Sequence, residues 1–493
     1  MSYLNSLKYE NNITTTENGA LTYKSTFNGC LDFFALAGSM RNRSEIDIIQ
    51  LFMSAYVEDK LTALKLLFYM RDIRNGQGER RLFRTIIKDL ATFDSSTVLT
   101  NLENIAEFGR WDDLLCLMET PCELFMLDYI KKQFEKDLNS ETPSLLGKWL
   151  PSENASSKET KKIATKIRKY LELSAKEYRK SLSALRRKIN IVETLIVQRR
   201  YDEIEYDKLP SKAGLKYRQA FLSNDYERYS NFMSKDNKDI TKVNAKTLYP
   251  YEIVHNVLEF IHDYNIKLTK EEINVYDKYW NNLKDYFNGK QLNNICVVDT
   301  SGSMYGRPME VAFSLGLYTA ERAGGPFKNH FITFSTSPQL VEIKGDNIYK
   351  KIRNISKADW GMNTNIKAVF DLLLKTALKH NCSQEEIPEN IIIISDMEFD
   401  SCTTHNNIEI LFKIIKKEWD KNGYEMPHLI FWNVDARQNN IPVLGRKISY
   451  VSGFSPSIFE AVLSNKSGFE LMMEVVNNPR YDCIKLPVEL EVK

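Results

Sequence analysis

Residues 294–304 read Asn-Ile-Cys-Val-Val-Asp-Thr-Ser-Gly-Ser-Met, and this stretch decides the fold of the C-terminal third of the chain. The apolar run at residues 295–298 is typical of a strand that is buried on both faces of a parallel sheet. One carboxylate and two hydroxyls follow it at Asp299, Ser301 and Ser303, before a helix that Pro308 opens. Open α/β sheets bind ligands beyond the carboxyl ends of their strands. The stretch therefore predicts a binding site at that edge of the sheet.

Apolar strands and amphipathic helices alternate along the rest of this region. The predicted strands are residues 294–298, 330–334, 390–394, 428–433 and 447–451, and the predicted helices are 308–322, 366–380 and 407–422. This alternation predicts a mainly parallel sheet that is covered by helices on both faces, the doubly wound architecture. Two short helices at 455–463 and 468–476 and a strand-like tail at 483–492 are predicted to close the fold.

Two more oxygen donors are expected at the same edge. Thr364 lies in the turn before the helix at 366–380, and Asp396 follows the strand at 390–394. Together with Asp299, Ser301 and Ser303 they make a set of oxygen ligands, which a hard cation such as Mg²⁺ prefers. A simpler interpretation is that the two serines only cap the helix near Pro308. That alternative leaves the two acids unexplained.

The N-terminal half follows a different pattern. From residue 31 to 287 the apolar residues recur three and four apart, with few glycines, which predicts helices joined by short turns. Helices are predicted at 46–56, 61–70, 79–93, 161–171, 175–197 and 251–264. So many helices must stack on one another, as a bundle or an α-solenoid. Any solenoid is expected to be irregular, because the segments have no fixed repeat length.

Composition places the chain among ordinary soluble proteins. Its 493 residues suggest two or three domains, and 43% are hydrophobic and 27% charged. No apolar run approaches the roughly 20 residues of a membrane span, and the N-terminus resembles neither a secretory signal nor a transit peptide. We therefore expect a cytoplasmic protein without a membrane partner. The seven scattered cysteines indicate neither a disulfide framework nor a zinc site.

The charge distribution is uneven, although the net charge is only +2. Residues 158–200 contain fourteen Lys and Arg against four Asp and Glu. Such a stretch is either a solvated helix face or a surface for an anionic partner such as RNA. Tyr170 and Tyr178 are candidates for base stacking beside it. The candidate phosphate contacts are Lys161, Lys162, Lys166, Arg168, Lys169, Arg179, Lys180, Arg186, Arg187, Lys188, Arg199 and Arg200.

The five oxygen donors resemble the metal-ion-dependent adhesion site of von Willebrand factor A-type (vWA) domains. The resemblance implies that Ser301 and Ser303 coordinate the cation directly, and that Thr364 does so directly or through water. Asp299 and Asp396 would act mostly through bound water. One coordination position stays open in such a site for an acidic group of a partner protein, so the resemblance implies a binding protein and not an enzyme.

The layout of the whole chain is similar to that of the TROVE-module proteins, the Ro autoantigen family. In that family a ring of HEAT-like helical repeats precedes a vWA domain, and Ro-type proteins bind structured RNA on the ring. More closely, the chain resembles a family of giant DNA viruses, plants and fungi, and its composition would suit a mimivirus-like genome. The segments that carry the resemblance are residues 71–80, 108–113, 148–154 and 397–400.

This resemblance implies four parts. They are a tail at 1–20, an α-helical HEAT-like domain at 21–288, a Rossmann-like doubly wound vWA domain at 289–455, and C-terminal helices with a tail that packs back on the core at 456–493. The first hypothesis is RNA binding by the helical domain together with Mg²⁺-dependent binding of an acidic partner by the vWA domain. The alternative is a metal-dependent protein scaffold without RNA, and a hydrolase is a distant third. The location would be the host cytoplasm, or the virion if the protein is viral.

Overall fold

The computed structural model describes residues 3–189, 191–234, 243–262, 268–287, 289–290, 292–334, 337–357, 365–401, 410–445, 447–459 and 466–488. Over these residues the fold is α plus α/β, as predicted. A helical N-terminal half leads into a region with a six-stranded sheet. None of the described helices is both long and apolar enough to cross a lipid bilayer. The six cysteines within the described ranges are all free thiols.

The helical half consists mostly of short helices, and several of them have polar N-caps. For example, the Ser44 hydroxyl accepts from the Asp47 amide, and the Asp59 carboxylate accepts from the Thr62 amide. Each bond satisfies an amide that has no partner within its helix. The helices are α1 (Tyr3–Asn11), α2 (Gly29–Leu36), α3 (Glu45–Glu58), α4 (Lys60–Arg71), α5 (Arg80–Phe93), α6 (Ser95–Thr100), α7 (Leu102–Phe108), α8 (Glu123–Asn139), α9 (Leu146–Trp149), α10 (Lys158–Tyr170), α11 (Ala175–Lys188), α12 (Val192–Val197), α13 (Ser211–Lys216), α14 (Arg218–Asn224), α15 (Tyr226–Met233), α16 (Pro250–His262) and α17 (Lys270–Asn281).

The second half is built around the predicted sheet. A small hairpin, β1 (Ile13–Thr15) and β2 (Leu21–Tyr23), precedes it in the chain. The sheet strands are β3 (Asn294–Asp299), β4 (His330–Phe334), β5 (Gln339–Glu342), β6 (Asn390–Ser395), β7 (His428–Asn433) and β8 (Ile448–Ser452). The helices here are α18 (Arg307–Arg322), α19 (Ile348–Ile355), α20 (Ile366–His380), α21 (Leu411–Lys421) and α22 (Gly468–Val476).

The sheet has the order β5-β4-β3-β6-β7-β8, and only β5 is antiparallel to its neighbour. Every residue of β3, β6, β7 and β8 is buried, so both faces of the sheet are covered. The chain leaves β3 toward β4 on one side and later returns to β6 on the other. The carboxyl ends of β3 and β6 therefore border the topological switch point, where open α/β sheets bind ligands.

Several predicted elements differ from the structure. The helix predicted at 175–197 is interrupted, because α11 ends at Lys188 and α12 begins at Val192. The helix predicted at 407–422 begins at Leu411 as α21, and residues 402–409 lie outside the described ones. The tail predicted as a strand from residue 483 has no strand up to residue 488. Part of the helix predicted at 455–463 also lies outside the described residues.

The first 20 residues, predicted as a tail, contain α1 and β1. The hairpin also meets the second half of the chain, since the Tyr23 amide donates to the Ile441 carbonyl and the Ile441 amide donates back. Strands of three residues carry too little alternation to be recognised in the sequence. This explains why the first 20 residues were predicted as a tail.

The helical half and the sheet share one interior. The apolar helix α2 packs against β8 and α22, and Gly38 directly after it donates its amide to the Ser452 hydroxyl at 3.0 Å. A Cβ atom on Gly38 would overlap the Ser452 carbonyl, so only glycine allows this approach. At the other end of the chain, Arg480 and Tyr481 contact the buried carboxylate of Asp72 after α4. Both contacts join distant parts of the sequence.

Candidate metal centre

Four of the five predicted ligand residues meet at the carboxyl edge of β3 and β6. The two strands are parallel neighbours, with Val298 paired to Ile394, so the residues that follow them lie side by side. Asp299, Ser301 and Asp396 are all buried, with 0%, 2% and 1% of their surface exposed. The predicted convergence of these strand ends is therefore present. Thr364, the fifth predicted ligand, lies outside the described residues.

Hydrogen bonds fix the first strand-to-helix turn. The Asp299 carboxylate accepts from the Ser301 amide at 2.9 Å and from the Ser395 hydroxyl at 2.5 Å. The hydroxyls of Ser301 and Ser303 lie 2.9 Å apart. Neither serine caps α18, whose N-cap residue is Gly306, and Ser301 makes no side-chain cap bond to the short turn after it. The alternative that these serines only cap the helix is therefore wrong.

The second carboxylate is incompletely satisfied. One oxygen of Asp396 accepts from the Glu398 amide at 3.1 Å. Its other oxygen, Oδ2, is buried and accepts no hydrogen bond of normal geometry among the described residues, although the Ser303 hydroxyl lies close enough to lower the pKa of Asp396. The Arg437 guanidinium faces this oxygen, with its Nε 3.7 Å away. A buried carboxylate oxygen without a donor is costly, and a bound cation would remove that cost.

The raised pKa values of Asp299 and Asp396 also indicate that positive charge is lacking near these two carboxylates. Burial, together with the neighbouring Asp396 carboxylate, raises the pKa of Asp299 to about 7. Burial also raises the pKa of Asp396. Two adjacent dehydrated carboxylates resist ionisation together, because neither charge is solvated and each repels the other. A divalent cation would stabilise both in the ionised form.

The chemical type of the candidate ligands limits which metal they can bind. No group of three His, Cys, Asp or Glu side chains able to hold a metal occurs within the described ranges. The candidate site instead combines two carboxylates with two hydroxyls, all oxygen donors. Such ligands suit Mg²⁺ and not a soft transition metal. The residues present therefore fit the predicted cofactor, as far as the structure describes them.

The sequence interpretation missed Arg437 and Glu17. The Arg437 guanidinium donates to the Ser303 carbonyl at 2.7 Å and to the Glu17 carboxylate at 3.1 Å. Glu17 belongs to the β1–β2 hairpin, and its amide donates to the buried Glu398 carboxylate at 2.6 Å. Burial raises the pKa of Glu398 to about 7. Arg437 could have been found by the argument used for Asp396, because it follows the next strand of the sheet, β7.

Most of the twelve predicted RNA contacts lie on α10 and α11, and half of them have other partners. Lys162 pairs with Glu119, Lys166 with Glu123 and Arg168 with Glu153, at 3.0, 2.6 and 2.8 Å. Arg200 pairs with Glu203. Two further side chains bond to backbone carbonyls. Arg186 donates to Gly147 and Leu150, and Lys188 donates to Leu138 and Ser140.

The other six cations are exposed and have no ion-pair partner within the described ranges. They are Lys161, Lys169, Arg179, Lys180, Arg187 and Arg199. The two predicted stacking residues differ in accessibility, because Tyr178 is buried and Tyr170 is half-buried. Tyr178 is 1% exposed and donates to the Pro151 carbonyl, and the Tyr170 hydroxyl donates to Asp128 at 2.5 Å. The prediction that Tyr178 is available for stacking is therefore wrong.

Comparison with known proteins identifies relatives of the whole chain. The family model described as Domain of unknown function (DUF2828) matches residues 16–125 and 122–289. A second one, Domain of unknown function (DUF7788), matches residues 293–483. The chain is also similar to Uncharacterized protein L728 of Acanthamoeba polyphaga mimivirus, with 30% identity over 92% of this chain and 85% of the relative. A giant-virus relative was predicted, and this finding confirms it.

Proposed function

The chain belongs to the DUF2828 family, and we propose that it is a non-enzymatic protein that binds an acidic group of a partner through a divalent cation. The cation would be Mg²⁺, held at the edge formed by β3 and β6. The observation that carries the proposal is the buried Oδ2 of Asp396, which accepts no hydrogen bond of normal geometry among the described residues, although Asp299 and the Ser303 hydroxyl lie next to this carboxylate.

Sheet topology supports interpretation of this region as a vWA domain. Taken in chain order, the strands lie in the sequence third, second, first, fourth, fifth, sixth, and the third strand is antiparallel. The ligand residues follow the first and fourth strands, at the switch point. The Ro-like and HEAT-like interpretation of the helical half belongs to the same proposal. A location in the host cytoplasm or the virion is also part of this proposal.

In this proposal each residue of the site has one role. The hydroxyls of Ser301 and Ser303 lie 2.9 Å apart and would both coordinate the cation. Asp299 is held in place by Ser301 and Ser395, so it balances the charge without having to move. Asp396 supplies its unsatisfied oxygen. Bound there, the cation offers an open coordination position to a carboxylate of the partner.

Calorimetric titration of the purified full chain with Mg²⁺ tests this proposal. We expect saturable binding that Asp396→Asn weakens at least about tenfold, because the variant removes the charge of the unsatisfied carboxylate. Asp420→Asn on α21 is the control, since that exposed acid pairs with Lys416 and lies away from the edge formed by β3 and β6. Equal affinity in the Asp396 variant and the wild type would contradict the proposal.

A second candidate function is RNA binding by the helical half. The observation in its favour is the group of unpaired, exposed cations on α10 and α11, in particular Arg179, Lys180 and Arg187. Phosphate contacts by such cations give affinity that falls steeply with salt. The acidic partner and the RNA would then be bound by different halves of the chain.

Recovery of nuclease-sensitive RNA from the natively expressed protein tests this second candidate. Charge reversal of Arg179, Lys180 and Arg187 to Glu should abolish the recovery without destabilising the fold, because none of the three bonds to the backbone. The control reverses Lys375, Lys379 and Lys421 near α20 and α21, which changes the net charge equally. If RNA is absent from the wild type, or is lost equally from both variants, the chain is a metal-dependent scaffold without RNA.

A further inference from the structure

A cavity of about 760 Å³ lies directly beside the candidate metal site, between the two halves of the chain. The loop after β3, which carries the candidate ligands Ser301 and Ser303, is called the ligand loop here. Its residues Ser301 and Gly302 form part of the cavity wall. The opposite wall comes from α16 of the helical half, which packs along α18 of the second half. The volume is within the range of about 300–1,000 Å³ that is usual for ligand sites. A group bound at the cation would therefore have this cavity next to it.

The cavity is lined by apolar side chains. Leu258 comes from α16, Met309 and Phe313 come from α18, and Tyr305 lies between the ligand loop and α18. Tyr305 is 87% exposed, although it is large and aromatic. Exposed apolar surface beside a polar site is typical of a place where a partner docks.

Acidic groups border the same cavity. Glu259 and Glu310 contribute to its lining, and both contact the imidazole of His255, at 3.4 and 2.7 Å. Oε2 of Glu310 is buried and accepts no hydrogen bond within the described residues, although Arg307 Nε lies 3.4 Å away. These carboxylates disfavour a second acidic group in the cavity and favour an apolar side chain or an N–H donor.

We infer that the cavity between α16 and α18 is a specificity subsite for the residue next to the cation-bound carboxylate, and that this residue carries a large apolar side chain. The inference rests on the proposed function, because the carboxylate must be held at the cation. The ligand class is thus an acidic peptide segment whose acid is followed or preceded by an aliphatic or aromatic residue. Helical-half and sheet residues would contact that segment together.

Simple carboxylates of increasing chain length test the subsite. Acetate, butyrate and hexanoate share the metal-binding group and differ only in apolar length. In saturating Mg²⁺ we expect hexanoate to bind the full chain at least about tenfold more tightly than acetate, because each buried methylene strengthens binding by roughly fourfold. Binding is measured by calorimetric titration of the Mg²⁺-saturated chain with each carboxylate, a readout that does not depend on any one side chain.

Two matched variants separate the subsite from general effects. Met309→Gln keeps the side-chain length but makes the wall polar, so it should remove most of the preference for hexanoate while the Mg²⁺ affinity stays unchanged. Met473→Gln changes another half-buried methionine, on α22, and should leave the preference intact. Equal preference in the wild type and Met309→Gln would overturn the assignment of the cavity.

The outcomes distinguish the two proposals. Mg²⁺ binding with equal affinity for acetate and hexanoate would overturn the subsite and leave the metal site standing. No Mg²⁺ binding by the wild type would overturn the proposed function, and the subsite with it. A hexanoate preference that persists at the same affinity without Mg²⁺ would show that the cavity binds alkyl chains independently, which also contradicts the inference.

Discussion

The Arg437 guanidinium lies 3.7 Å from the unsatisfied oxygen of Asp396. At this distance the guanidinium offsets part of the carboxylate charge but does not complete its hydrogen bonding. A bound Mg²⁺ would share the same small volume with this fixed cation, and like charges repel. Arg437 therefore works against metal binding, while Glu17 and the Ser303 carbonyl hold it in place.

Replacement of Arg437 should consequently tighten metal binding. We expect Arg437→Gln to lower the dissociation constant for Mg²⁺ by roughly tenfold, which corresponds to about 1.4 kcal/mol of removed repulsion. Calorimetric titration of the variant measures it. Arg353→Gln, an exposed arginine on α19, is the control and should not change the constant. Unchanged or weaker binding in Arg437→Gln would show that the guanidinium does not oppose the cation.

At the scale of elements, strand ends were the most predictable feature. The buried runs before Asp299 and Asp396 are continuous and apolar, so both their strand character and their parallel arrangement follow from the sequence. Arg437 and Glu17 were harder to predict. Arg437 lies on a loop after β7, and Glu17 lies in the turn of a hairpin with three-residue strands, 420 residues earlier in the chain. Long-range pairing of that kind leaves no local periodicity.

Helix ends were less predictable than helix centres. The amphipathic pattern runs through residues 189–191, so the sequence predicts one helix where the structure has α11 and α12. The ion-pair partners of the basic side chains could not be predicted from a single sequence either. Lys162 and Glu119 are 43 residues apart, and only the packing of the helices brings them to 3.0 Å.

His428 at the start of β7 makes the stability of the sheet depend on pH. Its Nε2 lies 2.7 Å from the Ser449 hydroxyl of β8, and burial, with a smaller effect of Lys447, lowers its pKa to about 4. The folded state therefore binds fewer protons than the unfolded state between about pH 4 and 6.5, so the stabilising contribution is present above that window and is lost as the pH falls.

We expect acidification from pH 7 to pH 5 to remove about 2 kcal/mol of unfolding free energy through this histidine. Denaturant unfolding of the wild type and of His428→Gln at both pH values measures the effect. The loss on acidification should be smaller in the variant by that amount. Equal pH dependence of the two proteins would show that His428 does not titrate with a lowered pKa in the fold.

A buried ion-pair cluster joins α4, α5 and the turn that begins at Trp111. The Asp113 carboxylate contacts Arg71 at 2.7 Å and Arg84 at 2.6 Å, and it accepts from the Arg110 amide at 2.8 Å. Asp113 and Arg71 are 0% and 2% exposed. The arginine at position 71 thus pairs with an acid and is not free for an anionic ligand.

Removal of the Asp113 charge should lower the stability of the fold. Asp113→Asn leaves two arginines without their common partner, and we expect the free energy of unfolding to fall by about 3–5 kcal/mol. Glu107→Gln, which breaks the exposed pair with Arg74, should cost at most about 1 kcal/mol. Chemical denaturation of both variants checks the difference. A loss below 1 kcal/mol in Asp113→Asn would mean that the cluster is not a stabilising junction.

At the scale of the whole molecule, the two halves are expected to unfold together. Helix α2 packs against β8, the hairpin near the N-terminus pairs with Ile441, and residues after α22 bond to Asp72 and Asn101 of the helical half. Because of these contacts, each half alone would expose surface that is buried in the full chain. The four-part division predicted from the sequence stays a prediction, since the family models meet at residues 289 and 293 while the packing crosses that boundary.

Gly38→Ala tests the shared interior, because the new methyl would overlap the Ser452 carbonyl. We expect one unfolding transition in the wild type, and in the variant a lower midpoint by several degrees for both circular dichroism and tryptophan fluorescence. Ser183→Ala on the exposed face of α11 is the control and should leave the midpoint unchanged. Two separate transitions, or a shift in only one signal, would contradict the account of a common core.

The most direct test of the central claim is an anomalous difference map from crystals of the full chain soaked in Mn²⁺, a substitute for Mg²⁺ with a detectable signal. The account predicts one strong peak between β3 and β6, about 2 Å from the hydroxyl oxygens of Ser301 and Ser303 and next to the carboxylates of Asp299 and Asp396. A map without a peak at this edge, or with a peak only elsewhere, would contradict the assignment of a metal site.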